Sequence, residues 1–450
     1  MEAKIVRTSI SKVKQSMFIT GGFILLVLSL TNSGGIRYTA ALFLLDFLFL
    51  FLTGMKYKAK FYISPFCIFF FFYFFYANTF PILYEYGNIN FFSLKKAPLL
   101  YTYAYSEKFF SITSFIFLLS PRHFIVKGKP KNILKKQSIS VELEVFALGL
   151  FTIEIVYFIA SGYLLFFLSR TTSRLDINTY VRWYNIWSYL GYIAIFLFLV
   201  LMLNGKGKIT RKMIVLLPIA FYYGVSIFSG SRKQLLYLLV IVTVFYVLGI
   251  VKVKRSVAFI LLLLFIASFS YRVVVMDKGW KGGIFEKAAS IGGEFIFPTM
   301  TFPLAIQKNF GWQNFNYPTL FDAVLYFVPR SIFPTKNHSI AETFSSIMDI
   351  NMGFATNPML EAYINFGTYG FVFEAVLFIF IVLLLLKIYK RNMALYLFGL
   401  LFLIDLNRGE ISFYVKQIVE LYFTLLFLHS VVKYLHYAIK FSNIQGARTK

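Results

Sequence analysis

The chain has 450 residues, with 45 Lys and Arg against 19 Asp and Glu, a formal charge of +26 and a mean hydropathy of +0.71. Only 14% of the residues are charged and 59% are hydrophobic, whereas soluble domains are about 25% charged. This excludes a water-soluble globular fold as an expectation and points to an integral membrane protein. The single cysteine, Cys67, rules out a disulfide framework within one chain and any multi-cysteine zinc or iron–sulfur centre.

A helix that crosses about 30 Å of hydrocarbon needs about 20 mostly apolar residues, because its backbone polar groups must pair within the segment. Twelve such runs are read along the chain, at 17–33, 38–54, 61–77, 103–120, 143–168, 186–203, 213–229, 235–250, 256–275, 365–386, 393–407 and 417–435. The first follows the basic segment KIVRTSISKVK and ends in TNSGG rather than in a small-residue cleavage site. It is expected to be a retained helix. With the N-terminus inside, the inside segments, counted with Lys433 at the inner end of the last run, carry 27 of the 45 Lys and Arg, so both termini are expected to be cytoplasmic. The same sorting assigns the basic excess to anionic lipid and not to nucleic acid.

Two external segments break the pattern of short connections, 169–185 and about 276–364. A connection of the second size is seldom idle. Its stretches KGWKGG, NFGWQNFNYP and YFVPRSIFP predict a cap of short helices on the outer face. The expected organisation is an all-α polytopic membrane protein with a bundle of about nine spans over 1–275, a large external loop over 276–364, and further spans with a cytoplasmic tail over 365–450.

Ionisable groups at or within a membrane are costly and are the informative ones. The external cations singled out are Arg170, Arg174 and Arg182 in the first long loop, Arg232 and Lys233 in SGSRKQ, Arg272, Arg330 and Lys336 in VPRSIFPTKNHS, and Arg408 in LNRGE. Arginine's rigid fork of donors suits a phosphate or diphosphate, while a snorkelling anchor is the plainer alternative for each. Arg232, Arg330 and Arg408 sit in Gly- or Pro-flanked turns that fix the backbone, which favours a ligand role. Two groups are candidate bases: Glu361, which opens the helix after the long loop, and His338, whose unperturbed pKa is about 6.5. Asp277, Glu286, Glu294, Asp322, Glu342, Asp349 and Glu410 are the other acids near that face, each more simply a helix cap or a solvated charge. His429 and His436 read as interfacial residues. Within the spans lie Asp46, Glu154, Glu374 and Asp405. Asp46 and Glu154 fall near mid-span, where a proton- or sodium-coupled transporter needs acids. No DxD, HExxH, GxxxxGKS or GxSxG pattern occurs, so metal-hydrolase, P-loop and serine-hydrolase readings have no support.

Four stretches, FSGSRKQLL at 228–236, VPRSIFPTK at 328–336, NPMLEAYINFGTYG at 357–370 and LNRGE at 406–410, stand in a plan of about twelve spans with one dominant external loop. In this combination the chain resembles the Wzy-type O-antigen polymerases. The resemblance rests on motifs in the second half of the chain and on topology and composition in the first. It implies a GT-C-like membrane glycosyltransferase working at the periplasmic face of the bacterial inner membrane. Such an enzyme moves a growing glycan from undecaprenyl pyrophosphate onto the non-reducing end of a new carrier-linked repeat unit and releases the carrier diphosphate. No nucleotide sugar, cofactor or metal is implied; a chain-length regulator and a flippase are implied as pathway partners. On this reading Arg232, Arg330 and Arg408 hold the diphosphates with Lys336 in support, and Arg170, Arg174 and Arg182 are further candidate contacts. Glu361 or His338 takes the acceptor proton, and Trp280, Trp312, Tyr317 and Tyr326 stack on sugars or anchor the loop, anchoring being slightly favoured. The family's Arg-x10-Gly pattern occurs only from Arg272 to Gly283 and carries little weight. The rival expectations are an O-antigen ligase, a twelve-span flippase and a solute symporter. The 276–364 loop argues against the flippase, and a symporter would depend on Asp46 and Glu154.

Overall fold

The structure is a computed structural model. It describes residues 2–87, 89–90, 92–126, 141–160, 191–199, 215–217, 219–223, 232–248, 284–325, 328–349, 355–389, 391, 393–420 and single positions between 422 and 434. Among these residues every regular element is a helix. The longer ones are α1 (Glu2–Leu30), α2 (Ile36–Met55), α3 (Pro65–Gly87), α4 (Lys96–Leu119), α5 (Val141–Ala160), α6 (Arg232–Val247), α7 (Ile284–Gln307), α8 (Ile340–Ile347), α9 (Pro358–Phe366), α10 (Gly370–Tyr389) and α11 (Met393–Leu406). A further helix covers 411–420.

Three stretches are long and apolar enough to cross a membrane: Ile36–Met55, Pro65–Gly87 and Pro358–Tyr389. Shorter apolar helices cover Ser16–Leu30, Ala147–Tyr157, Leu236–Val247, Phe295–Gln307 and Leu395–Leu406. The expected run at 256–275 lies outside the described residues, as do much of 186–203, 213–229 and 417–435.

The chain forms two compact units, one of residues 1–127, 281–391 and 398–417, the other of 128–280, 392–397 and 418–450. The first holds residues 281–364 of the long segment expected to be external. Its core is aromatic: Phe66, Phe69, Phe70 and Tyr73 recur at helical spacing on one face of α3. They meet Phe109, Phe110 and Phe117 of α4 and Phe378 of α10. Phe66 stacks on Phe117 at 4.8 Å, Phe69 lies 4.2 Å from Phe378, and Phe70 meets Phe110 edge-on at 4.8 Å. Such pairs contribute about 0.5–1.5 kcal/mol each beyond burial. In the second unit the buried residues include Ala147 and Phe151 of α5, and Tyr237, Ile241, Val244 and Phe245 of α6.

One feature departs from the expected cap of short helices. Residues 284–307 form a single 24-residue helix, α7, that continues through Pro298 and Pro303 and packs on α3 and α4. Each proline removes one backbone bond. The sequence here, GGEFIFPTMTFPLAI, carries the punctuation of a loop, yet tertiary contacts hold it helical. Thr299 donates to the Tyr76 carbonyl, Thr301 Oγ1 to Ala355 O at 2.7 Å, and Asn357 Nδ2 to Pro298 O at 2.8 Å.

The α9–α10 junction is fixed by two glycines. Gly367 has φ +61° and its carbonyl accepts from Tyr105 Oη at 3.1 Å. At Gly370 a Cβ would stand 2.2 Å from the Ala362 carbonyl oxygen, so only glycine permits the close return of the chain. Asn357 caps α9, accepting from Leu360 N at 2.8 Å, with Pro358 in the first turn.

Candidate functional site

Three of the four stretches singled out in the sequence come together in the first unit, and two buried carboxylates join them. The turn LNRGE follows α11, closed by Arg408 N to Asp405 O at 2.9 Å. Glu410, at its end, accepts from Ala341 N at 3.3 Å, in the first turn of α8 and three residues past His338. Glu361, fully buried in α9, accepts from Ile411 N at 2.5 Å at the start of the 411–420 helix. Each carboxylate thus meets an amide left orphaned at a helix N-terminus, where the helix dipole also favours negative charge. Thr319 Oγ1 reaches Glu361 Oε1 at 3.5 Å, and Asn365 Nδ2 reaches Thr319 Oγ1 at 2.8 Å.

The loop from 308 to 339 is held by side-chain bonds to backbone and by one polar knot. Tyr317 Oη donates to Asp322 Oδ1 at 2.6 Å and accepts from Asn337 N at 3.1 Å. Asn337 Nδ2 donates to Tyr317 O at 3.0 Å and lies 3.3 Å from Asp322 Oδ2, while its Oδ1 accepts from Asn316 N at 2.9 Å. Asn337 is 7% exposed and all its polar atoms are used. Ser339 then caps α8 in a capping box with Glu342, the hydroxyl accepting from Glu342 N at 3.2 Å.

The knot places the cations. Arg330 donates through Nη2 to Asn337 O at 3.2 Å, and its two terminal nitrogens lie 3.2 and 3.3 Å from the two ring nitrogens of His338. An imidazole offers at most two donors and an arginine no acceptor, so the Arg330–His338 contact is a face or edge apposition with at most one true hydrogen bond in the neutral ring. His338 Nδ1 also lies 3.5 Å from Glu342 Oε2. Lys336 Nζ is 3.4 Å from Val328 O. Arg330 and His338 are exposed, and Lys336 is half-buried.

Charge in this patch is coupled. Lost hydration lowers the Lys336 ammonium; Asp322 opposes this, and Arg330 and Lys416 add to it. Burial raises the Asp322 carboxyl against the hydrogen bonds of Tyr317 and Asn337 and the charges of Lys336 and Arg330. Burial and the bond to Asp322 push the Tyr317 hydroxyl up to about 12. Burial likewise raises Glu410 to about 7, against the amides of Ala341 and Ile340. The outcome is an exposed guanidinium and imidazole with Lys336 near enough to feel both Arg330 and Lys416, on a scaffold whose acids are buried or hydrogen-bonded. An anion is the ligand this arrangement suits.

Of the residues proposed from sequence, Arg330, Lys336 and His338 share one loop, and Glu361 and Arg408 belong to the elements bolted beneath it. Arg408 is half-buried. Arg232 opens α6, but its side chain lies outside the described residues, as do Arg170, Arg174, Arg182, Arg272, Trp280 and Tyr326. Trp312 is 73% exposed. Tyr317 is committed to Asp322. The sequence reading did not single out Asn337 or Lys416. Asn337 was findable as the polar residue between Lys336 and His338; Lys416 had no signal beyond its charge. Comparison of the chain with protein-family models, curated proteins and solved structures finds no match.

Proposed function

We propose that the chain is a membrane glycosyltransferase of the Wzy-type polymerase kind, with about twelve spans and a GT-C-like plan. It transfers glycan from undecaprenyl pyrophosphate to a carrier-linked repeat unit on the periplasmic side of a bacterial inner membrane. The observation that carries the reading is that Glu410 of the 406–410 turn holds Ala341 of α8, the helix that follows the 328–339 loop, and that Glu361 of the 357–370 segment holds Ile411, the residue after that turn. In the reaction the anomeric carbon–oxygen bond to the diphosphate breaks and a bond to the acceptor hydroxyl oxygen forms. The hydroxyl proton goes to a base, and the negative charge stays on the diphosphate. Arg330 and Lys336, with Arg408 in support, meet that charge, which fixed cations stabilise as it develops. Between the two candidate bases, His338 is the accessible one, with Arg330 and Glu342 on either side. Glu361 is fully buried and engaged by Ile411 N, which suits a positioning role.

An O-antigen ligase is the second reading, kept because a histidine stands beside the arginine of the external loop. Deletion in the native strain, followed by electrophoresis of surface glycan, separates the two. A polymerase deletion leaves a single repeat unit on the acceptor and loses the ladder; wild type restores it and Arg330→Ala does not. If no repeat unit reaches the surface, the ligase reading replaces it, and a normal ladder refutes both.

A further inference from the structure

A second polar cluster lies in the helices before the external loop, where α1, α2 and α4 pack on one another. Glu107 is fully buried in α4, and Ser29 Oγ of α1 donates to its Oε2 at 2.5 Å. Asp46 of α2, 2% exposed, is near enough to act on Glu107 by charge. Ser111, one helical turn beyond Glu107 and 1% exposed, faces Asp46. Asn32 also faces Glu107, and its Nδ2 donates to Thr39 Oγ1 at 3.0 Å.

Among the described residues Glu107 Oε1, Asp46 Oδ2 and Ser111 Oγ have no hydrogen-bond partner. Among the described residues neither carboxylate has a cation within 4 Å. The ionisable groups that face Glu107 are Asp46, Lys108, Tyr73 and Tyr103, so one lysine stands against two acids. Burying an unpaired carboxylate costs several kcal/mol, and unsatisfied buried oxygens add to it. One further positive charge resolves both. The donors are all oxygen, the set that hard cations take and soft metals do not.

We propose that Asp46 and Glu107, with Ser29 and Ser111, form a binding site for one monovalent hard cation, sodium or the proton. Counted with Lys108, one such ion neutralises the pair. The bound ion ties together the three helices that carry Ser29, Asp46 and Glu107. This site is independent of the glycosyltransferase reading and stands or falls without it.

The test is carbodiimide modification of the full-length protein in lipid nanodiscs, read by peptide mass spectrometry and paired with the thermal unfolding midpoint. Sodium is titrated against choline at constant ionic strength, and the series is repeated across pH. A sodium site predicts that modification at Glu107 or Asp46 falls about tenfold at sodium ten times its half-saturating level, with a rising midpoint. Ser111→Ala then shifts the sodium dependence to higher concentration. A proton site predicts modification and midpoint that ignore sodium but follow pH, with the pH response lost in Asp46→Asn. If wild-type modification and midpoint respond to neither sodium nor pH, or respond identically in Ser111→Ala and Asp46→Asn, the proposal is overturned.

Discussion

The 308–339 loop with the 406–410 turn and the α1–α2–α4 junction both place carboxylates where water is scarce, and they satisfy them in different ways. Asp322 in the loop receives Tyr317 Oη and Asn337 Nδ2, and Glu410 receives Ala341 N. Donors there come from turns and helix ends, where irregular backbone leaves N–H groups to share. At the junction the surrounding backbone is helical and already paired, so Asp46 and Glu107 have only the side chains of Ser29, Asn32 and Ser111 to call on, and among the described residues one oxygen of each goes without a partner. A loop can thus hold acids as scaffold and leave its cations outward, whereas acids in packed helices need a charge brought to them.

That contrast is most severely tested by Arg330→Ala. If the loop's outward cations bind a diphosphate, loss of this guanidinium lowers glycan transfer by about 10²–10³-fold with an unchanged unfolding midpoint, and Arg330→Lys recovers part of the rate. The next effect is on pH dependence. Glu410 is raised from 4.5 to about 7 by burial, so the folded state holds its proton more tightly than the unfolded one. Its contribution is complete below pH 4.5 and is lost as pH rises to about 7, up to about 3 kcal/mol. Thermal unfolding across that window should show stability falling, and Glu410→Gln should flatten the curve. Tyr317→Phe removes a donor from Asp322 and the acceptor of Asn337 N, which should cost about 1–3 kcal/mol by the same assay. Trp312→Ala, at 73% exposure, should change stability by less than about 0.5 kcal/mol. A larger loss would mean that the loop is held by apolar contacts and not by its polar knot.

Much of the helical plan was legible because long apolar runs admit little else. The runs at 38–54 and 61–77 correspond to α2 and α3, although α3 extends to Gly87 past Pro81. Helix α7 was not legible, since Pro298, Pro303 and the Gly pair before them speak locally for a loop and only Tyr76, Ala355 and Asn357 answer them. Glu107 was passed over inside an apolar run, where one acid barely changes the hydropathy. At the candidate site, residue types and turns pointed to Arg330, Lys336 and His338. Their support by Asp322, Tyr317 and Asn337 depends on contacts across about twenty residues of loop, which no spacing rule reveals. The capping box at Ser339 and Glu342 was readable from its four-residue pattern alone.

The most direct test uses purified wild-type and Arg330→Ala protein in nanodiscs, given a synthetic undecaprenyl-pyrophosphate-linked repeat unit, with products separated by length. The account predicts that wild type makes carrier-linked chains of two or more units and releases undecaprenyl pyrophosphate in step, and that Arg330→Ala makes neither. Chain growth that is equal in the two proteins would contradict it.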